Sequence, residues 1–127
     1  MSNQTILTVD DEERVLDVIR DILSTKGYNV LTAKSGKEAI KKTRQFIPDL
    51  IVMDIMMPDP DGAAVVKQLK EDPATSSIPI LFLSGIIMKE SRQLLQEINV
   101  GGEFYSALAK PFDAAELLAA VSNLLEN

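Results

Sequence analysis

The sequence predicts an α/β fold: a doubly wound parallel sheet of five strands alternating with five helices, in a single domain covering residues 1–127. Three observations carry this prediction. Short apolar runs and amphipathic segments alternate five times along the chain. Two of the runs, LIVM at 50–53 and ILFL at 80–83, are apolar at every position, the pattern of strands buried on both faces. The length of 127 residues, 46% of them hydrophobic, suits one core and leaves little room for a second. Right-handed crossovers then put helices on both faces of the sheet.

Each element has its own signal. ILTV at 6–9 reads as the first strand. Val15, Leu16, Val18, Ile19, Ile22 and Leu23 recur at helical spacing, so the first helix runs over 13–26, with Glu12 and Glu13 at its positive end and Lys26-Gly27 at its close. NVLT at 29–32 is the second strand. Ser35 with Glu38 forms a capping box for the second helix, which stops near Phe46 ahead of Pro48. LIVM is the third strand. Asp61 and Gly62 open the third helix, which runs to about Glu71 and is ended by Asp72-Pro73. ILFL is the fourth strand. A fourth helix is expected within 87–98, with Leu94, Leu95 and Ile98 on one face, and a fifth strand within 104–108. Asp113 with Glu116 caps a last helix carrying Leu117, Leu118, Val121, Leu124 and Leu125.

The composition narrows the chemistry. A net charge of −6 argues against sequence-independent nucleic-acid binding and against docking on anionic membranes. The longest apolar stretch, IPILFLSGIIM, is interrupted by Ser84 and Gly85 and falls short of a membrane span. The start, MSNQTILTVDDEE, has no basic leader, so a cytoplasmic location is expected. Cysteine and histidine are both absent, which removes disulfides, thiol chemistry and the usual zinc ligands. Carboxylates, hydroxyls and lysine remain, with a metal that accepts oxygen ligands alone, such as magnesium or calcium.

Ligands of an open parallel sheet bind beyond the carboxyl ends of its strands. Asp10 and Asp11 follow the first strand, Asp54 the third, Ser84 the fourth and Lys110 the fifth. If those strands are neighbours in that order, all five groups share one rim. Singly, each has a plain reading: an acidic pair before a helix caps it, and Ser84-Gly85 makes a turn. Together they form a constellation for phosphoryl transfer. Three converging carboxylates repel one another, and a divalent cation, with magnesium the best suited, relieves the repulsion. Asp54 is then an in-line nucleophile, with Lys110 and Ser84 disposed to hold phosphoryl oxygens.

The stretches VDDEE (9–13), DIMMPDPDG (54–62), ILFLSG (80–85) and LAKPF (108–112) resemble the receiver domain of two-component response regulators, over nearly the full chain. The resemblance implies the flavodoxin-like strand order 2-1-3-4-5. It also implies transfer of a phosphoryl group to Asp54 from a histidine kinase or a histidine phosphotransfer protein. Asp10 and Asp11 resemble the acidic magnesium pair, with Asp11 the direct ligand, joined by Asp54 and the backbone carbonyl of Met56. Ser84 takes the place of the switch hydroxyl and Lys110 that of the phosphate-binding lysine. Pro111, after a cis bond, and Gly85 support them. Such a domain acts on itself rather than as an enzyme on a substrate. It changes the surface of its fourth helix, fifth strand and fifth helix for a downstream protein.

One position departs from the family. Three residues before the lysine, where an aromatic is usual, stands Ala107. Tyr105 lies one pleat further from the rim and would replace that aromatic lever only if the chain bulges near Gly101 and Gly102. Otherwise Phe104 and Tyr105 are expected to pack on the flanking helices. Among rival functions, a haloacid-dehalogenase-type phosphatase needs a second acid where Met56 stands, and DDEE, in the place of a flavodoxin's phosphate loop, would repel the FMN phosphate. A degenerate receiver acting only as a docking module would have lost one of the site residues, and none is lost. No output domain follows the last helix, so a stand-alone receiver or a piece of a longer regulator or hybrid kinase is expected.

Overall fold

A computed structural model describes residues 4–85 and 96–126. The elements are β1 (Thr5–Val9), α1 (Glu13–Ser24), β2 (Asn29–Ala33), α2 (Gly36–Phe46), β3 (Leu50–Asp54), α3 (Gly62–Lys70), β4 (Ile80–Ser84), β5 (Gln96–Val100), β6 (Glu103–Ala109) and α4 (Ala114–Leu125). They build one sheet in the order β2-β1-β3-β4-β6-β5. Every pairing is parallel except β5 with β6.

Full burial of β3 and β4 follows from their having two apolar faces. Ile51, Met53, Ile80 and Phe82 point into a core with Ala39 and Ile40 of α2 and Val65, Val66 and Leu69 of α3. Leu50, Val52, Leu81 and Leu83 point the other way, onto Ile19 and Leu23 of α1 and Leu117, Ala120 and Val121 of α4. Alternate residues of one run thus serve two cores, so no position in it is free to be polar.

The helix starts follow their caps. Ser35 accepts a hydrogen bond from the Glu38 amide, Asp61 from the Ala64 amide, and Asp113 closes a full capping box with Glu116. At α2 the box is shifted: the Glu38 carboxylate takes the amide of Lys34, at 2.7 Å, rather than that of Ser35. Helix α2 ends at Phe46, and Ile47 turns into the left-handed region with φ 45° ahead of Pro48.

The five-stranded, all-parallel expectation needs correcting. The sheet has six strands with one antiparallel pair, and four helices stand among the described residues. The helix expected within 87–98 is not supported at its end: Ile98 lies in β5, opposite Tyr105, while Leu94 and Leu95 lie outside the described residues. The reason is the turn. Gly101 and Gly102 take φ of 61° and 92°, and the Gly102 amide donates to Asn99 Oδ1 at 3.0 Å. Two consecutive positive φ values match the twist of a tight hairpin, and glycine adopts them without a Cβ penalty. Ile98 and Val100 then alternate inward against the same core as Phe82. The spacing of Leu94, Leu95 and Ile98 reads as helical only if that alternation is overlooked.

Candidate functional site

The register brings the strand ends together. Val9 pairs with Met53, so Asp10 and Asp54 follow side by side on β1 and β3. Asp54 pairs with Leu83, and Ser84 with Ala109, so Ser84 and Lys110 continue the same rim across β4 and β6. The Lys110 amide donates to the Ser84 carbonyl at 3.0 Å, which fixes the base of the lysine next to the end of β4. The five predicted groups converge because these four strands are adjacent and parallel.

Asp10 and Asp54 are buried; Asp11 is exposed. The Lys110 ammonium lies 3.2 Å from Asp54 Oδ1 and 3.5 Å from Asp10 Oδ2. Asp10 Oδ1 accepts the Glu12 amide at 2.9 Å, and Asp54 Oδ1 accepts the Met56 amide at 3.3 Å. Burial raises the Asp10 carboxyl above the ordinary value of 3.8; the Glu12 amide opposes this, Asp54 adds to it, and Lys110 offsets part of it.

One buried oxygen, Asp10 Oδ2, makes no hydrogen bond. Such a group is costly unless something else satisfies it. Asp10, Asp11 and Asp54 each offer an oxygen, all within 4.8 Å of one another. An all-oxygen set of this span, with a buried carboxylate oxygen that makes no hydrogen bond and only a long ion pair with Lys110, fits a hard divalent cation such as magnesium.

The supporting residues divide. The Lys110–Pro111 bond is cis, as expected. A Cβ on Gly85 would meet nothing within 4 Å, so that position carries no steric requirement. Met56 is 63% exposed and touches the site through its backbone. Ser84 is fully buried.

Tyr105 stands away from the rim. Its ring meets Phe82 edge-on at 5.9 Å, Lys70 of α3 lies 5.7 Å from its centroid, and its hydroxyl donates to Glu103 Oε2 at 3.1 Å. Ala107 pairs with Phe82 and is fully buried. The space next to Ala107 is therefore taken by an aromatic from β4, not by Tyr105. Packing of both aromatics on the helices flanking β6 is also corrected: Phe104 is 65% exposed, and Tyr105 packs on β4 and α3.

Gly62 was missed as a site residue. A Cβ there would overlap the Asp54 carbonyl oxygen and lie 2.8 Å from Ile55 Cα. Its amide donates to the Ile55 carbonyl at 3.2 Å. The start of α3 is thus pressed against the end of β3, and only glycine permits that approach. The signal available was a glycine in the first turn of a helix, directly after an aspartate cap.

The comparisons with known proteins agree with this geometry. Residues 6–122 match the family model described as the response regulator receiver domain. The chain is 38% identical over 123 residues to the alkaline phosphatase synthesis transcriptional regulatory protein PhoP of Bacillus subtilis (strain 168), covering 97% of this chain and 49% of that protein. It thus spans about half the length of this and other curated relatives that it matches. It is 30% identical to the polar-differentiation response regulator DivK of Brucella ovis, covering 96% of both chains. Among solved structures, the receiver domain of a sensor histidine kinase from Pseudomonas aeruginosa PAO1 superposes with a TM-score of 0.84 at 25% identity, covering 99% of this chain and 100% of that one. That structure holds a magnesium ion coordinated in its active-site cleft. By its fold, its converging acidic and basic groups and its match over residues 6–122, this chain belongs to the response regulator receiver domains of two-component systems.

Proposed function

We propose that the chain is a phosphoacceptor switch in which Asp54 receives a phosphoryl group from the phosphohistidine of a histidine kinase or phosphotransfer protein. The observation that carries this reading is the Lys110 ammonium, 3.2 Å from Asp54 and 3.5 Å from buried Asp10 at the rim of the sheet. Asp54 Oδ attacks phosphorus in line, the P–N bond breaks, and its electron pair leaves with the donor imidazole. Lys110 neutralises charge on the phosphoryl oxygens and holds the group against the end of β6. Ser84 lies beside it on β4 to hydrogen-bond a phosphoryl oxygen.

Magnesium would be held by Asp10, Asp11, Asp54 and the Met56 carbonyl, where it supplies positive charge to the transferring oxygens. Asp10 and Asp11 keep two carboxylates fixed next to the acceptor. The new phosphoryl group carries about two negative charges at neutral pH, which draw Lys110 and Ser84 inward. This biases the surface formed by residues 96–109 and α4 between two pre-existing states. An apolar groove of about 480 Å³ beside Lys110, lined by Val15, Val18, Pro111 and Phe112, gives a donor protein a place to seat. Asp10, Asp11, Asp54, Ser84 and Lys110 are all present in the sequence, and no observation favours a docking module that has lost phosphorylation.

The test is incubation with acetyl phosphate, with and without magnesium, followed by intact-mass spectrometry. One phosphoryl group should be added, only with magnesium, and Asp54→Asn should take up none. Equal labelling of the variant would remove Asp54 as the acceptor.

A further inference from the structure

The chain is acidic overall, yet five of its 13 lysines and arginines fall between residues 34 and 44. On α2, Lys37, Ile40, Lys41 and Arg44 stand at i, i+3, i+4 and i+7, so they form one stripe along the helix. With Pro60 and Gln68 they line a groove of about 530 Å³ between α2 and α3.

The other cations of this segment are committed. Lys34 pairs with Glu13 at 3.0 Å; Lys42 pairs with Glu38 at 3.1 Å and donates to the Thr32 carbonyl at 2.5 Å. Arg44 reaches Asp72 at 3.4 Å. Lys37 and Lys41 are exposed and pair with no carboxylate among the described residues. Like charges four residues apart weaken a helix, and Glu38, the acid between these two in the sequence, is paired with Lys42 instead. Ile40 and Pro60 give the same groove an apolar lining.

We propose that the α2–α3 groove docks an acidic peptide segment of a partner protein, with carboxylates on Lys37 and Lys41 and an apolar side chain over Ile40 and Pro60. A cationic stripe with an apolar lining in the same groove is complementary to such a segment. A nucleic acid fits less well. No aromatic ring among the described residues lines the groove to stack a base, and a net charge of −6 repels an extended polyanion, whereas a short peptide meets only the local field.

The experiment is fluorescence anisotropy of a short fluorescein-labelled peptide of Glu-Glu-Leu repeats against the whole chain. Wild type should bind, and binding should weaken as salt rises. Lys37→Glu/Lys41→Glu should weaken it about tenfold or more, with a far-ultraviolet circular dichroism melt like that of wild type. Arg20→Glu/Lys26→Glu, which changes the net charge equally at another surface, should shift it less than about twofold. Equal weakening by both variants would reduce the effect to overall charge and overturn the proposal. Tighter binding of oligothymidylate, or of phosphatidylserine vesicles, than of the peptide would overturn it in favour of a nucleic-acid or membrane surface.

Discussion

Asp10 sits at the end of β1 with one oxygen held by the Glu12 amide and the other without a hydrogen bond. Its folded pKa is raised, mainly by burial. The sign follows directly: the protonated form is favoured in the fold, and that advantage is lost as pH rises from the unfolded value through the folded one. At neutral pH the ionised carboxylate therefore costs stability. Asp10→Asn keeps an oxygen for the Glu12 amide, and Lys110 retains Asp54. The variant should gain about 1 kcal/mol without magnesium, a rise of roughly 3–5 °C in Tm. Magnesium should then raise its Tm less than that of wild type. A variant that melts lower than wild type in the metal-free state would show that the Lys110–Asp10 pair outweighs the burial penalty.

Gly62 works through shape rather than charge. Adding one methyl group would drive it into the Asp54 carbonyl and push α3 off the end of β3. Gly62→Ala should lose about 1–3 kcal/mol in a denaturant titration, despite the helix-favouring character of alanine. Its phosphorylation by acetyl phosphate should slow as well. A stability equal to wild type would mean that α3 can retreat without strain.

The strand ends were legible in the sequence because each apolar run stops on a polar residue: Asp10, Asp54, Ser84 and Lys110. Parallel pairing then brings those ends together. Gly62 was not legible, since its role depends on how closely α3 approaches β3. The β5–β6 hairpin was hidden differently: Leu94, Leu95 and Ile98 satisfy helical spacing, while the competing signal is the shorter alternation of Ile98 and Val100 ending on Gly101-Gly102. The hairpin also bears on switching. Tyr105 contacts Phe82, Lys70 and Glu103, and these contacts argue against its following Ser84 in the proposed switch. Beryllofluoride with magnesium should shift the NMR signals of residues 96–109 in wild type. Ser84→Ala should suppress those shifts, and Tyr105→Ala should leave them largely intact. Equal loss in a folded Tyr105→Ala protein would restore an aromatic lever.

Two apolar cores share one sheet, and β3 is buried against both. Asp54, the proposed acceptor, thus ends one of the two fully buried strands, while the hairpin strand β5 closes one edge. Amides of β3 should exchange with deuterium at the rate of global unfolding, and those of β5 faster, through local opening. Equal protection of both strands would mean that the hairpin opens only with the whole fold.

If Asp54 carries the phosphoryl group as proposed, its acyl phosphate can be trapped chemically. Acetyl phosphate with magnesium, followed by borohydride reduction and peptide mass spectrometry, converts a phosphorylated aspartate to homoserine. That conversion should occur at Asp54 alone, within the peptide that contains Met53 and Met56. Conversion at Asp10, at Asp11 or outside the rim, with Asp54 unchanged, would contradict the proposal.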